Sequence, residues 1–315
     1  MAALLRNRRY DNDMYIAPVL ITVYDRLQHF QGCVESLRRN VYAENTDLFI
    51  AIDYPRDDKA VTSNMAIKEY CKTISGFKHV TIYARDRNYG SRENGLLAKK
   101  EILSYYDSII ITEDDNLFSR YFLKFINEGL SKYHYNESIL AICGYQFPKV
   151  ENQCRSDIMM IHGFSPWGYG IWKDRISKIE YEIKDYYKIF IDKNYYCRFI
   201  QLMGGKFFTS LLIANIRNEV YGDISVNYSI YKNNLQCVFP KKTLVLNKGQ
   251  DGSGLHSSRN SYFDKQFIDN QFDPSGDARF ESRCQEMFAR EMKYPMYKQL
   301  YYYFLYRSIA RIMNM

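Results

Sequence analysis

The chain has 315 residues, 46% of them hydrophobic, enough to bury a sizeable core in one large domain or two closely joined ones, which excludes a disordered chain. Lys and Arg total 43 against 36 acidic residues, a net +7 that suits anionic ligands or a membrane surface; no dense basic stripe interleaved with aromatics runs through the body, so a dedicated nucleic-acid binder is excluded. The seven cysteines are odd in number and lack C-x-x-C spacing, which argues against a disulfide framework or a structural zinc site and points to a reducing, cytosolic compartment.

Taken in order, "MAALLRNRRYDND" has too short an apolar stretch for a signal peptide, and no apolar run reaches the length of a membrane span. The expectation is a soluble or peripheral protein. "APVLITVYD" (17–25) predicts a first strand, and the helical pattern "LQHFQGCVESLRRN" follows, with Phe30, Val34 and Leu37 on one face. "DLFIAIDYP" gives a second strand ending at Asp53, "AVTSNMAIKEYCKTI" a helix, "HVTIYARD" a third strand, "SRENGLLAKKEILSYY" a helix and "SIIITEDD" a fourth strand. Short β-branched strands separated by such helices predict β-α-β units of a parallel sheet covered on both faces. Beyond residue 116 the pattern gives a helix ("RYFLKFINEGLSKYHY"), a strand ("SILAICGYQ"), a Gly/aromatic segment, helices to about 221, the helix "ISVNYSIYK", the strand-like "QCVFPKKTLVLN" and the Gly-rich "KGQDGSGLHSS".

Ligands of such sheets collect beyond the carboxyl ends of the strands. Tyr24-Asp25-Arg26, Asp53, Arg85 to Gly90, and Glu113-Asp114-Asp115 all fall there. Three consecutive carboxylates repel one another, and a hard divalent cation such as Mn2+ or Mg2+ relieves that repulsion with one or two of them as oxygen ligands, leaving other positions to water and phosphate. A solvated acidic turn capping the helix near Ser119 is the plainer reading. "GFSPWGYGIW" (163–172) holds both tryptophans, and aromatic faces stack on the apolar faces of sugar rings, so Trp167, Gly168 and Tyr169 are candidates for a ligand wall while Trp172 reads as a buried corner.

Five segments, "APVLITVYDRLQHFQGCVESLRRN", "FIAIDYPRDD", "RDRNYGSRENGLLAKK", "IIITEDDNLFSRYFLKFINEGLSKY" and "SPWGYGIWKDRI", resemble in order and spacing the bacterial sugar transferases of the GT-A type. The nearest likenesses are family-two-like polysaccharide enzymes and the N-acetylglucosaminyltransferase I group, whose D-x-D position also reads E-D-D. The resemblance spans residues 15 to 258. It implies an α/β fold of the GT-A (Rossmann-like) type, with a mostly parallel central sheet flanked by helices and a C-terminal helical extension. The implied organisation is an N-terminal extension (1–14), a nucleotide-sugar-binding half (15–116), an acceptor-binding and catalytic half (117–258) and a C-terminal extension (259–315).

The resemblance also assigns roles. Asp53 matches a uracil or ribose contact, and Tyr24, Asp25 and Arg26 the loop beside the nucleotide, although the family more often has Asn at the place of Asp25. Arg85, Arg87, Asn88 and Gly90 match the segment near base and phosphates, and Glu113 and Asp114 face sugar and ribose. Asp115 matches the metal ligand. Asp223, in "YGDISVNYS", matches the base that deprotonates the acceptor hydroxyl, worth roughly 100- to 10,000-fold; Gly222 and Ile224 depart from the family's neighbours, and an N-cap role is the equal alternative. His256 matches a histidine that completes the metal shell or touches the diphosphate, with Lys248 as a phosphate partner. Each residue has a plainer reading: a turn for Asp53, surface cations for Arg85 and Arg87, an ordinary loop histidine for His256.

The implied activity is metal-dependent, inverting transfer of a hexosyl or N-acetylhexosaminyl group from a nucleotide-sugar, by expectation UDP-linked, to a hydroxyl of a glycan or lipid-linked acceptor in bacterial surface polysaccharide synthesis. Two other readings stay open: a sugar nucleotidyltransferase, against which "YDRLQHF" lacks the Gly-rich basic loop, and a catalytically silent carbohydrate-binding subunit. Residues 290 to 315 carry five basic residues against Glu291, beside an aromatic run. They read either as a helix lying on an anionic bilayer at the cytoplasmic face or as one docked on protein, in this chain or in a homo-oligomer.

Overall fold

The computed structural model describes residues 15–183, 192–252 and 266–312. Its first third follows the predicted alternation: β1 (Val19–Val23), α1 (Leu27–Arg38), β2 (Asp47–Ile52), α2 (Asp58–Cys71), β3 (His79–Ala84), α3 (Gly90–Ile102) and β4 (Ser108–Glu113). The central strands are apolar because both faces of the sheet are covered there, and β1 is buried at four of its five positions; β3, at the sheet edge, departs from the expectation with no fully buried residue. On α1, Phe30, Cys33, Val34 and Leu37 turn inward at helical spacing. Asp57 starts α2 by accepting from the Lys59 and Ala60 amides.

The remaining strands are β5 (Asn116–Phe118), β6 (Ile139–Cys143), β7 (Ile158–Ile161), β8 (Tyr169–Trp172), β9 (Gln236–Pro240), β10 (Val245–Asn247) and β11 (Arg279–Phe280). One sheet runs in the order β11-β7-β9-β6-β8-β4-β1-β2-β3. It is mostly parallel, as expected: β3-β2, β2-β1, β1-β4, β6-β9 and β7-β11 pair parallel, while β8 runs antiparallel between β4 and β6, and β7 antiparallel to β9. The two predicted halves therefore share one continuous sheet.

Helices α4 (Phe122–Lys132), α5 (Pro148–Glu151), α6 (Lys173–Ile176), α7 (Lys193–Met203), α8 (Gly205–Arg217), α9 (Gly222–Lys232), α10 (Ser282–Glu291) and α11 (Met296–Ile312), with short 3-10 turns at Ala43–Asn45 and Gly249–Asp251, complete the described elements. On α4, Phe122, Leu123, Phe125, Ile126 and Leu130 are buried, a wide apolar face against the second half of the sheet.

Four local expectations change. The acidic triplet leads first into β5 and only then into α4, so it does not cap a helix at Ser119. The predicted strand "QCVFPKKTLVLN" breaks at Lys241 and Lys242, its first part entering the main sheet and its second pairing with β5. The segment 169–172, to which the sequence assigns no secondary structure, is β8, whose Tyr169 pairs with Ile111 and Cys143. Pro295 precedes α11 and separates it from α10, because proline cannot continue the preceding helix.

Candidate active site

The ends of β1, β2 and β4 open on the same edge of the sheet, and β5 turns the chain back so that β10 can pair with it. That pairing is antiparallel, Asn247 opposite Asn116, and it continues one step further: the Lys248 amide donates to the Asp115 carbonyl at 2.8 Å. A segment more than a hundred residues away in sequence is thereby laid over the acidic triplet.

Asp114 and Asp115 are buried, 4% and 6% exposed. Asp114 Oδ1 and Asp115 Oδ2 converge on a single nitrogen of Arg26, the second at 2.9 Å, while Arg26 Nε donates to Asp114 Oδ2 at 3.2 Å. Asn247 Nδ2 donates to Asp115 Oδ1 at 2.8 Å. Gly249 lies directly against Asp115; a Cβ there would stand 2.1 Å from Asp115 Oδ2, so the turn admits no side chain. His29 Nε2 sits 3.2 Å from Asp251 Oδ2, closing the same turn from α1. Burial pushes Asp114 up to about 6, against the pull of Arg26. Burial likewise works against the Arg26 charge, but Asp114 and Asp115 outweigh it and hold the guanidinium cationic.

Glu113 behaves differently. Its side chain is open to solvent on one side yet surrounded by protein on the others. Loss of bulk water pushes its carboxyl up to about 7, followed by repulsion from Asp115 and Asp114, with Arg26 opposing and Asp223 adding. Asp223 is thus within electrostatic reach of Glu113. It is exposed, in the first turn of α9, where Tyr221 and not Asp223 occupies the N-cap position. The N-cap alternative therefore gives way to a carboxylate at the helix start, raised by desolvation and partly lowered by the Ile224 amide. A cavity of about 320 Å³ opens beside the start of α9, lined by Tyr181, Ile183, Leu211, Asn215, Tyr221 and Ile224 among others; Asp223 itself does not line it.

The other predicted residues fall as follows. Asp53, expected to contact uracil or ribose, is 3% exposed and committed to its own chain: Oδ1 accepts from the Tyr54 and Tyr89 amides, both at 2.9 Å, and Oδ2 from the Gly90 amide at 2.8 Å and Asn88 Nδ2 at 3.3 Å. Four donors fill the carboxylate's acceptor positions, so in this arrangement Asp53 seats the start of α3. Asn88 is held by the same network and donates to the Tyr54 carbonyl at 2.6 Å. Gly90 takes φ +77°, which favours glycine there. Arg85 Nε donates to Asn94 Oδ1 at 2.8 Å, and one of its terminal nitrogens is buried without a hydrogen-bond partner. Arg87 is exposed over the Tyr89 ring, 4.7 Å from its centroid.

Tyr24 accepts from the Arg56 amide at 2.8 Å, and Asp25 is half-buried in the same turn. The Lys248 side chain is exposed. Trp167 meets Tyr145 edge to face at 4.6 Å, and Gly168, at φ +70°, packs where a Cβ would touch Phe118 and Phe122. Tyr169 is raised first by desolvation and shares the electrostatic neighbourhood of Glu113. Trp172 is the buried corner expected, its Nε1 donating to the Leu130 carbonyl at 3.1 Å. His256 lies outside the described residues.

Sequence reasoning missed Asn247, Gly249 and His29. The first two carry a faint signal, an Asn and a Gly flanking Lys248 directly after a strand; His29 carries none, being one polar position on α1.

Two carboxylate oxygens aimed at one point form a hard donor set of the kind Mn2+ or Mg2+ accepts, with remaining positions left to water and phosphate. The set fits such an ion on condition that Arg26 yields or shares that point. Among the described residues no cluster of three or more His, Cys, Asp and Glu side chains is placed to hold a metal.

No known protein family profile matches the chain, and neither does any curated protein. Solved structures do overlap it. The mannosyltransferase PcManGT from Pyrobaculum calidifontis, in complex with GDP-Man and Mn2+, is 10% identical over 73% of this chain and 74% of its own, with a TM-score of 0.41. S. aureus TarS 1-349 is 11% identical over 53% of this chain and 50% of its own, TM-score 0.39, and its complex with UDP-GlcNAc is 10% identical over 73% and 58%, TM-score 0.38. The chain spans one fifth of the longer S. aureus TarS structure and half of TarS 1-349. At TM-scores below 0.5 these likenesses decide nothing about the site.

Proposed function

We propose that the chain is a divalent-metal-dependent glycosyltransferase of the GT-A type, moving a hexosyl or N-acetylhexosaminyl group from a nucleotide-sugar, UDP-linked by preference, to a hydroxyl of a glycan or lipid-linked acceptor with inversion. The observation that carries the reading is the convergence of Asp114 Oδ1 and Asp115 Oδ2 on one cationic position at the strand ends, with Glu113 and Asp223 on the open side.

When bound, a Mn2+ or Mg2+ ion would supply charge neutralisation for a departing nucleoside diphosphate, worth several kcal/mol as the bond from the anomeric carbon to the phosphate oxygen breaks. Asp114 and Asp115 would hold it. Asp223 is the base: its raised proton affinity suits removal of the acceptor hydroxyl proton while the oxygen attacks the anomeric carbon. Trp167 and Tyr169 support a sugar-facing wall, and exposed Lys248 and Arg87 supply positive charge for phosphates.

Thermal-shift measurements against UDP-, GDP- and dTDP-sugars, with and without Mn2+, test the reading. The expected result is a rise for one nucleotide that requires the metal. No rise with any donor at saturating Mn2+ would overturn it.

A further inference from the structure

Helix α11 is attached to the body by one face. It packs along α8, with Tyr302 and Tyr303 half-buried, and the Gln299 side-chain amide lies so close to Gly205 that a Cβ there would stand 2.4 Å from its nitrogen. The same amide donates to the Tyr294 carbonyl at 2.6 Å, tying the helix start to the chain before it.

The opposite face is bare. Met296, Tyr297, Leu300, Tyr301 and Phe304 are exposed at 75, 70, 49, 62 and 60%, and their spacing of one, four, five and eight residues puts them on a single stripe. Such a contiguous apolar patch marks an interaction surface, because a solvated helix face would carry charged side chains there. The charge pattern identifies the partner. From Met292 to Met315 the sequence contains no Asp or Glu but has Lys293, Lys298, Arg307 and Arg311, and the Lys293 side chain just before α11 and the Lys298 side chain in its first turn are both exposed.

We propose that this face docks on an anionic lipid bilayer, with α11 lying in the headgroup plane. A two-fold pairing of this patch with a second copy would bring the cations of the two segments together with no Asp or Glu of either segment to offset them, which like-charge repulsion disfavours. Anionic headgroups complement the same surface, and tyrosine rings with a polar tip suit a boundary that is apolar below and wet above. Among the described residues no single helix is long and apolar enough to cross a membrane. The inference does not depend on the glycosyltransferase reading.

Flotation of the full chain with phosphatidylglycerol-containing vesicles and with pure phosphatidylcholine vesicles tests it, with light scattering of the free protein alongside. The wild type should float with the anionic vesicles and stay behind with the neutral ones. Tyr297→Ser/Leu300→Ser/Phe304→Ser should lose anionic binding with an unchanged circular-dichroism melt, and Lys293→Gln/Lys298→Gln, which spares the apolar stripe, should weaken it on the order of tenfold. Failure of the wild type to float, equal binding to both vesicles, or a wild-type dimer that the serine variant disperses would overturn the proposal.

Discussion

At the end of β2, Asp53 is 3% exposed and accepts four hydrogen bonds, three from backbone amides fixed by the start of α3 and the turn after the strand. At the end of β4, two strands away, Asp114 and Asp115 are about as buried, yet their principal partner is one long side chain, Arg26, itself partly open to solvent. Backbone donors cannot leave without unfolding the helix start, whereas a guanidinium can swing away without unfolding any element, provided that another cation takes over the charge it neutralises. Equal burial thus means scaffold in one place and exchangeable charge in the other.

The largest expected effect breaks the pair of roles apart. Asp115→Ala should lower glycosyl transfer by about a hundredfold or more, several kcal/mol at about 1.4 kcal/mol per tenfold, with a far smaller effect on unfolding. Transfer at the wild-type rate would remove Asp115 from the mechanism. Asp53→Ala should do the reverse, costing about 2 kcal/mol of stability in urea unfolding by leaving the Tyr89 and Gly90 amides unpaired. An unchanged midpoint would mean that these donors find other partners and that Asp53 is no scaffold.

A subtler variant sharpens the difference. Arg26→Gln removes the internal counter-ion from the point where Asp114 and Asp115 converge. Mn2+ affinity without nucleotide, read by electron paramagnetic resonance, should rise on the order of tenfold even with water screening the lost charge. Affinity that falls instead would make Arg26 a support for the ion's site and not its competitor.

The contrast explains what could be read in advance. The β-α-β third of the chain was legible because each strand and helix carries its own hydrophobic period, and strand ends locate polar clusters without tertiary knowledge. Roles within a cluster were not legible. Asp53 and Asp115 look alike in sequence, each closing an apolar strand, and only the approach of α3 to one and of Arg26 and Asn247 to the other separates them. The β5-β10 pairing that brings Asn247 and Gly249 onto the triplet joins three-residue strands, too short to show alternation, and depends on a break at Lys241-Lys242 inside what reads as one strand. β8, a Gly/aromatic strand, hides its pairing for a similar reason: it lacks the β-branched run that marks its neighbours.

The smallest expected effect concerns Glu113, the member of the triplet with solvent beside it. Its carboxyl is held up to about 7 in the fold, against an ordinary 4.5 in the unfolded chain. A carboxyl raised in this way binds its proton more tightly when folded, so its unfavourable contribution is absent below the unfolded value. As pH rises between those two values, the unfolded chain releases its proton first and the fold loses stability; above the folded value the loss is complete and flat. Glu113→Gln stays neutral throughout, so the stability difference between variant and wild type should grow in the variant's favour from pH 5 to pH 8. Because open water screens one side of Glu113, the gain should remain below about 1 kcal/mol, read as a shift in urea midpoint at each pH. If the two midpoints run parallel across that range, Glu113 does not feel Asp114 and Asp115, and the triplet is three separate carboxylates instead of one crowded site that a cation relieves.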